Sequence, residues 1–180
     1  MLFYNVCYDT SMNGRRADRD RAKPERSDAL DAATDAVLLA SRVLVGIAAQ
    51  SLAATEAQIT LPQYRALVVL GTRGAQTVGT LADTLGIHPS TLTRLCDRLI
   101  AKRLIDRETS PENRREVILT LSEPGRALVR AETASRRRAI RKLVARFDHA
   151  TQQEISHAFG ALADAAGEVP HHAWKLGWTA

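Results

Sequence analysis

Aromatic residues make up only 4% of this 180-residue chain, and it has just two cysteines, Cys7 and Cys96. So few aromatics beside abundant Ala, Leu and Arg favour helix over sheet. Two thiols in unlike surroundings exclude a disulfide framework and a tetrahedral zinc site, which fits a reducing cytoplasm. No run approaches the roughly 18 consecutive apolar residues of a membrane-spanning helix. The apolar opening MLFYNVCY is short and lacks a basic leader, so neither membrane insertion nor secretion is expected. Catalytic signatures are missing too: there is no phosphate-binding glycine loop, no nucleophile elbow, and no paired-carboxylate or zinc-ligand spacing. The chain is therefore read as a non-enzyme with no catalytic residues, no metal and no cofactor.

What is present is a 45% hydrophobic fraction, ample for one domain with a helical extension, and 25 Lys plus Arg against 20 Asp plus Glu. A net charge of +5 is modest, yet compatible with an acidic partner such as nucleic acid. Residues 1–27 carry Arg15, Arg16, Arg19, Arg21, Lys23 and Arg26 without apolar periodicity and read as a flexible basic N-terminal arm. Met12 offers an alternative start. From Asp28 to about Ala57 the spacing of Leu30, Ala33, Val37, Leu38, Ser41, Leu44 and Val45 predicts a long amphipathic helix, with Asp28, Asp31 and Asp35 toward its N-terminal end.

Thr60 and Gln63 fit a capping box with Pro62 in the first turn, so a second helix starts there, carries Tyr64, Leu67, Val68 and Gly71, and stops at Gly71–Gly74. Val78, Leu81, Ala82 and Leu85 make a third, short helix that ends at Gly86. Only Ile87 and His88 then precede Pro89, which suits the first turn of a fourth. Two short helices across so tight a turn make a helix-turn-helix. In the fourth helix Leu92, Leu95, Cys96 and Leu99 share the inward face, which leaves Ser90, Thr91, Thr93, Arg94 and Arg98 outward, where a major groove is read. Leu104–Thr109 and Glu116–Leu121 are strand-like and flank a polar tip, Ser110 to Arg115, forming a hairpin wing able to reach the narrower groove. Ser122 caps a long helix to about Arg146, a last helix spans roughly Thr151–Ala166, and the tail has no clear pattern.

The fold class is thus mainly α with a small β-hairpin wing: a winged helix-turn-helix with long dimerisation helices. Residues 28–58 form one dimerisation helix, 59–121 the DNA-binding domain, 122–168 the C-terminal dimerisation helices and 169–180 a tail.

Taken in order, LADTLGI (81–87), STLTRLCDRL (90–99), LIDR (104–107), PENRR (111–115) and LTLSEPGR (119–126) resemble the multiple antibiotic resistance regulator family, MarR, of bacterial transcription factors, over about Asp28–Gly167. The resemblance implies a homodimer on double-stranded DNA, with Ser90, Thr91, Thr93 and Arg94 as recognition-helix contacts and Arg114 or Arg115 as the wing arginine. Asn113 stands where the family usually has Asp, which weakens any ion pair bracing the wing to a neutral hydrogen bond. His88 stands where the family often has a Ser or Thr cap. Family members commonly bind small phenolic or lipophilic effectors, and Tyr64 with Arg65 is the candidate pocket, the plainer alternative being a core Tyr64 beside a solvated Arg65. Cys96 reads as a packing residue, and the basic run Arg136–Arg146 as a solvated or interface face. The function expected is a ligand-released repressor on a near-palindromic operator. The alternative is an architectural protein coating DNA with little sequence preference.

Overall fold

The computed structural model describes residues 19–109, 113 and 116–169. Two compact units divide the chain, one ending at Val43 and the other beginning at Leu44. Helix α1 (Arg19–Ala53) starts well before Asp28 and stops before Ala57. Arg, Ala and Glu are good helix formers without any apolar stripe, so periodicity alone places the start of the helix too late. The remainder of the basic N-terminal arm, Cys7 and the tail from 170 on lie outside the described residues.

Within the first unit the large apolar residues Leu30, Val37, Leu38 and Leu39 are exposed. Within Ser27–Ala53 the most apolar 18-residue stretch has a mean hydropathy of 1.7, enough by length and composition alone to cross a membrane. The run is still not one of consecutive apolar residues, since Arg42 interrupts it; the average is high because Ala, Val and Leu on either side outweigh that one charge.

In the second unit the last turns of α1 bury Ala48 and Leu52. Helix α2 (Leu61–Arg73) opens with the expected capping box: the Thr60 amide donates to Gln63 Oε1 at 2.9 Å and the Gln63 amide to Thr60 Oγ1 at 3.4 Å. Strand β1 (Gln76–Thr77) leads into α3 (Val78–Leu85), and α4 (Pro89–Ala101) follows. Strands β2 (Ile105–Thr109) and β3 (Val117–Leu121) pair antiparallel with Ile105 opposite Leu121 and Thr109 opposite Val117. β1 adds to the other edge of β3, Gln76 opposite Leu119, giving the order β1-β3-β2. A two-residue strand has no periodicity to detect, and so the hairpin is legible in the sequence while its third strand is not. Helices α5 (Glu123–Val144) and α6 (His149–Ala165) complete the chain, α6 beginning slightly before Thr151 because the Asp148 carboxylate caps it, accepting the Thr151 amide at 2.8 Å. That bond holds the Asp148 carboxyl below its ordinary pKa.

The core is aliphatic: Leu67, Leu81, Leu92, Leu99, Ile105, Leu119 and Val129 are all fully buried, drawn from α2, α3, α4, the sheet and α5. Each such side chain contributes about 1.5–3 kcal/mol of transfer free energy. Two polar devices fix the elements around it. Lys102 Nζ donates to the carbonyls of Ala57 and Gln58 at 2.7 and 3.2 Å, tying the end of α4 to the loop after α1. Glu132 of α5, only 5% exposed, accepts the hydroxyls of Ser51 at 2.6 Å and Thr55 at 2.8 Å.

The tightest approach is at the start of α5. Ser122 is the expected cap, its Oγ accepting the Gly125 amide at 3.1 Å while its hydroxyl donates to the Arg103 carbonyl at 2.7 Å, and its amide reaches the Leu104 carbonyl at 3.2 Å. A Cβ on Gly125 would drive into that same Leu104 carbonyl and come within 2.8 Å of Leu121 Cδ1. On the exposed side Glu123 receives Arg126 and Arg130, each at 2.9 Å, and these hydrogen bonds lower its carboxyl pKa. Gly125→Ala should therefore cost at least about 1–3 kcal/mol through overpacking against backbone that cannot yield. Urea denaturation would show it as a lower midpoint at unchanged slope; an unchanged midpoint would contradict the close contact.

Candidate nucleic-acid interface

Helix α4 is presented by two tight ends. At its entry Gly86 adopts the left-handed conformation (φ 65°, ψ 33°), its amide reaching Asp83 O at 3.2 Å and the next amide, Ile87, reaching Ala82 O at 3.1 Å, so α3 stops and the chain turns at once. At its exit Arg103 takes φ 57°, a conformation that usually selects glycine, and Leu104 N returns to Leu99 O at 3.0 Å.

Between those ends Leu92, Cys96 and Leu99 are buried, while Ser90, Thr91, Thr93, Arg94 and Arg98 are exposed, as the helical spacing predicts. Burial pushes the Cys96 thiol pKa up to about 11, with Asp97 adding to the rise, so the thiolate needed for redox chemistry is scarce at neutral pH. Packing is the role that fits it.

The outward groups are not equally free. His88 is the N-cap: its Nδ1 accepts the Ser90 amide at 3.3 Å and lies 2.9 Å from Ser90 Oγ. Thr93 donates its hydroxyl to the Pro89 carbonyl at 3.0 Å. Ser90 and Thr93 are thus partly committed to the helix itself, whereas Thr91, Arg94 and Arg98, spaced three and four apart, form one outward stripe with long reach.

The strands run beside this helix and bury Ile105, Leu119 and Leu121. At the tip Asn113 Nδ2 donates to Glu116 Oε1 at 3.1 Å and the Glu116 amide returns to Asn113 O at 2.8 Å, a local closure whose acceptor is a carboxylate. Arg114 and Arg115 lie outside the described residues.

A second feature lies between α2 and α5, a groove of about 660 Å³. Tyr64 and Arg65 both line it, Tyr64 nearly buried with its hydroxyl 3.3 Å from Thr133 Oγ1, Arg65 exposed. The Arg136 guanidinium sits over the Tyr64 ring, 5.7 Å from its centroid. Part of the basic run on α5 therefore turns inward to this groove, which spacing along one helix could not reveal. Among the described residues there is no His, Cys, Asp and Glu cluster fit for a metal.

The imidazole cap gives a direct test. His88→Ala should cost about 0.5–2 kcal/mol of stability, and His88→Asn should restore it, since Asn is among the best capping residues. Equal urea midpoints for the unaltered chain and the His88→Ala variant would show that the ring caps nothing.

Comparison with known proteins agrees with this geometry. Residues 59–117 match the MarR family. An uncharacterized HTH-type transcriptional regulator of Mycobacterium leprae is 33% identical over 81 residues, 45% of this chain and 57% of that protein. The chain thus spans little more than half of that relative. The crystal structure of RV1404 from Mycobacterium tuberculosis is 41% identical with a TM-score of 0.73, covering 79% of this chain and 97% of that one. A Staphylococcus aureus MepR mutant bound to an oligodeoxyribonucleotide shares the fold, with a TM-score of 0.55 at 20% identity over 74% of this chain and 96% of its own. With a matched helix-turn-helix and wing, and a relative at 41% identity over nearly its full length, this chain belongs to the MarR family of DNA-binding transcriptional regulators.

Proposed function

We propose that this regulator is a cytoplasmic repressor that binds a near-palindromic operator as a homodimer and is released by a small effector. The observation that carries the DNA reading is the exposed stripe Thr91, Arg94 and Arg98 on a helix locked by its buried leucines. Arg94 pairs bidentately with guanine, and Thr91 and Arg98 reach base edges or phosphate. Ser90 and Thr93 offer their remaining lone pairs as acceptors. The wing, through Asn113, Arg114 and Arg115, adds contacts to the backbone and narrower groove.

A second copy is supported by apolar exposure. Val37, Leu38, Val43 and Val45 of α1, and separately Phe159 and Leu162 of α6, are at least 42% exposed, apolar helix faces of the kind that mark a protein partner. A symmetric dimer on a near-palindromic operator requires its two recognition helices about 34 Å apart, one helical turn of DNA. An effector in the groove beside Tyr64 and Arg65 would then act by favouring a dimer whose helices no longer match both half-sites.

Fluorescence anisotropy against the duplex upstream of the chain's own gene should give binding roughly a thousandfold tighter than against a scrambled duplex at physiological salt. Arg94→Ala should cost about 1–3 kcal/mol on the operator and relax base preference there, while Arg114→Ala or Arg115→Ala should weaken both duplexes evenly. Equal losses on both duplexes for Arg94→Ala would remove it as a base reader, and equal binding of both by the unaltered chain would favour an architectural, DNA-coating role. Sedimentation equilibrium should return twice the 19.7 kDa chain mass; a monomer at micromolar concentration would rule out the dimer.

A further inference from the structure

Four guanidiniums, those of Arg65, Arg136, Arg137 and Arg141, line the groove between α2 and α5, against the single carboxylate of Glu168. Among the described residues none of the four is in a salt bridge; the ion pairs on α5 belong to Arg126 and Arg130 with Glu123. The buried acid of α5, Glu132, does not line the groove and is taken by the hydroxyls of Ser51 and Thr55. Arg136 is half-buried and Arg65, Arg137 and Arg141 are exposed along the rim, so the groove presents a surplus of positive charge that one anionic charge leaves mostly unmatched.

The rest of the wall is apolar, with Leu61 and Val68 from α2 and Ile140 and Val144 from α5. Tyr64 supplies an aromatic face whose outer side already holds Arg136. The volume, about 660 Å³, is that of a pocket for one drug-sized molecule and not for an inorganic ion alone. Guanidinium forks match phosphate and carboxylate oxygens bidentately, with more specificity than a lysine.

The geometry points to a ligand that combines two demands: an aromatic or short aliphatic body and a head carrying at least two negative charges, as in a phosphate monoester. This rests on the reading of the groove as the effector site and names the chemistry of its ligand. Arg137 and Arg141, one helical turn apart on α5, grip the head together with Arg65 from α2, while the body lies on Val68, Ile140 and the Tyr64 ring. Bringing α2 and α5 together through one dianion is also what would make the groove's occupancy felt by the helix-turn-helix, since α2 packs directly on α3 and α4.

Three probes sharing one ring isolate the charge: 2-naphthyl phosphate, 2-naphthoate and 2-naphthol, titrated calorimetrically into the full chain without DNA, with inorganic phosphate as the head alone. The dianionic ester should bind at least tenfold tighter than the carboxylate and the carboxylate tighter than the naphthol, with inorganic phosphate weaker than the ester. The Arg137→Gln/Arg141→Gln double variant should lose at least tenfold for the ester and little for the naphthol. Arg65→Gln, on the other helix, should show a smaller loss in the same order, so the test survives if the double variant misfolds. Equal affinity for all three ring probes, no ester binding at millimolar concentration, or an unchanged ester affinity in the folded variants would overturn the assignment. So would a double variant that keeps ester affinity but loses operator affinity, which would make these arginines phosphate contacts to DNA. Operator binding by the unaltered chain is measured separately by anisotropy, so a failure of the DNA reading and a failure of the ligand class give different results.

Discussion

The carbonyl of Leu104 is where the helix-turn-helix, the sheet and α5 are joined. It ends the turn after α4, accepts the Ser122 amide at 3.2 Å, and faces Gly125 so closely that no side chain fits there. The recognition helix is therefore not merely attached to a scaffold. The turn that leaves it shares a backbone contact with the cap of α5, Leu104 O accepting from Ser122 N, and β2 and β3 leave that point as a pair whose register is set by Ile105 opposite Leu121. A shift of one residue in β3 would turn Leu119 and Leu121 out of the core, so the direction of the hairpin is specified by the same few atoms that join it to α5.

Much of this is legible in the sequence because it depends on near neighbours along the chain. The Thr60–Gln63 box, the left-handed Gly86, the Ser122 cap and the hairpin strands each rest on chemistry within a few residues, and each appears where the spacing puts it. The inward face of α4 follows from the same periodicity. Features set by distant partners are not legible in this way. Strand β1 exists only because β3 offers it an edge, and Lys102 reaches back to Ala57 and Gln58 across the fold. The start of α1 escapes pattern reading for the opposite reason: local propensity extends the helix where amphipathic pattern is absent.

The candidate sites divide along the same line. Exposure of Ser90, Thr91, Thr93, Arg94 and Arg98 can be read from one helix. That Ser90 and Thr93 spend hydroxyl contacts on His88 and Pro89 cannot, since it depends on rotamers. The arginines of α5 resemble a solvated run because a helix taken alone gives them no common target. Only the placement of α2 makes Arg65, Arg136, Arg137 and Arg141 converge.

The buried carboxylate of Glu132 has a consequence for how this molecule responds to its solution. It is held by two hydroxyls and, among the described residues, by no cation, so the contact joining the end of α1 to α5 is a short-range hydrogen-bonded one. Screening by dissolved ions acts on separated exposed charges far more than on such a buried contact. The exposed pairs of Glu123 with Arg126 and Arg130 are open to that screening. Dissolved salt therefore loosens the solvent side of α5 well before it reaches the joint that ties this helix to the end of α1.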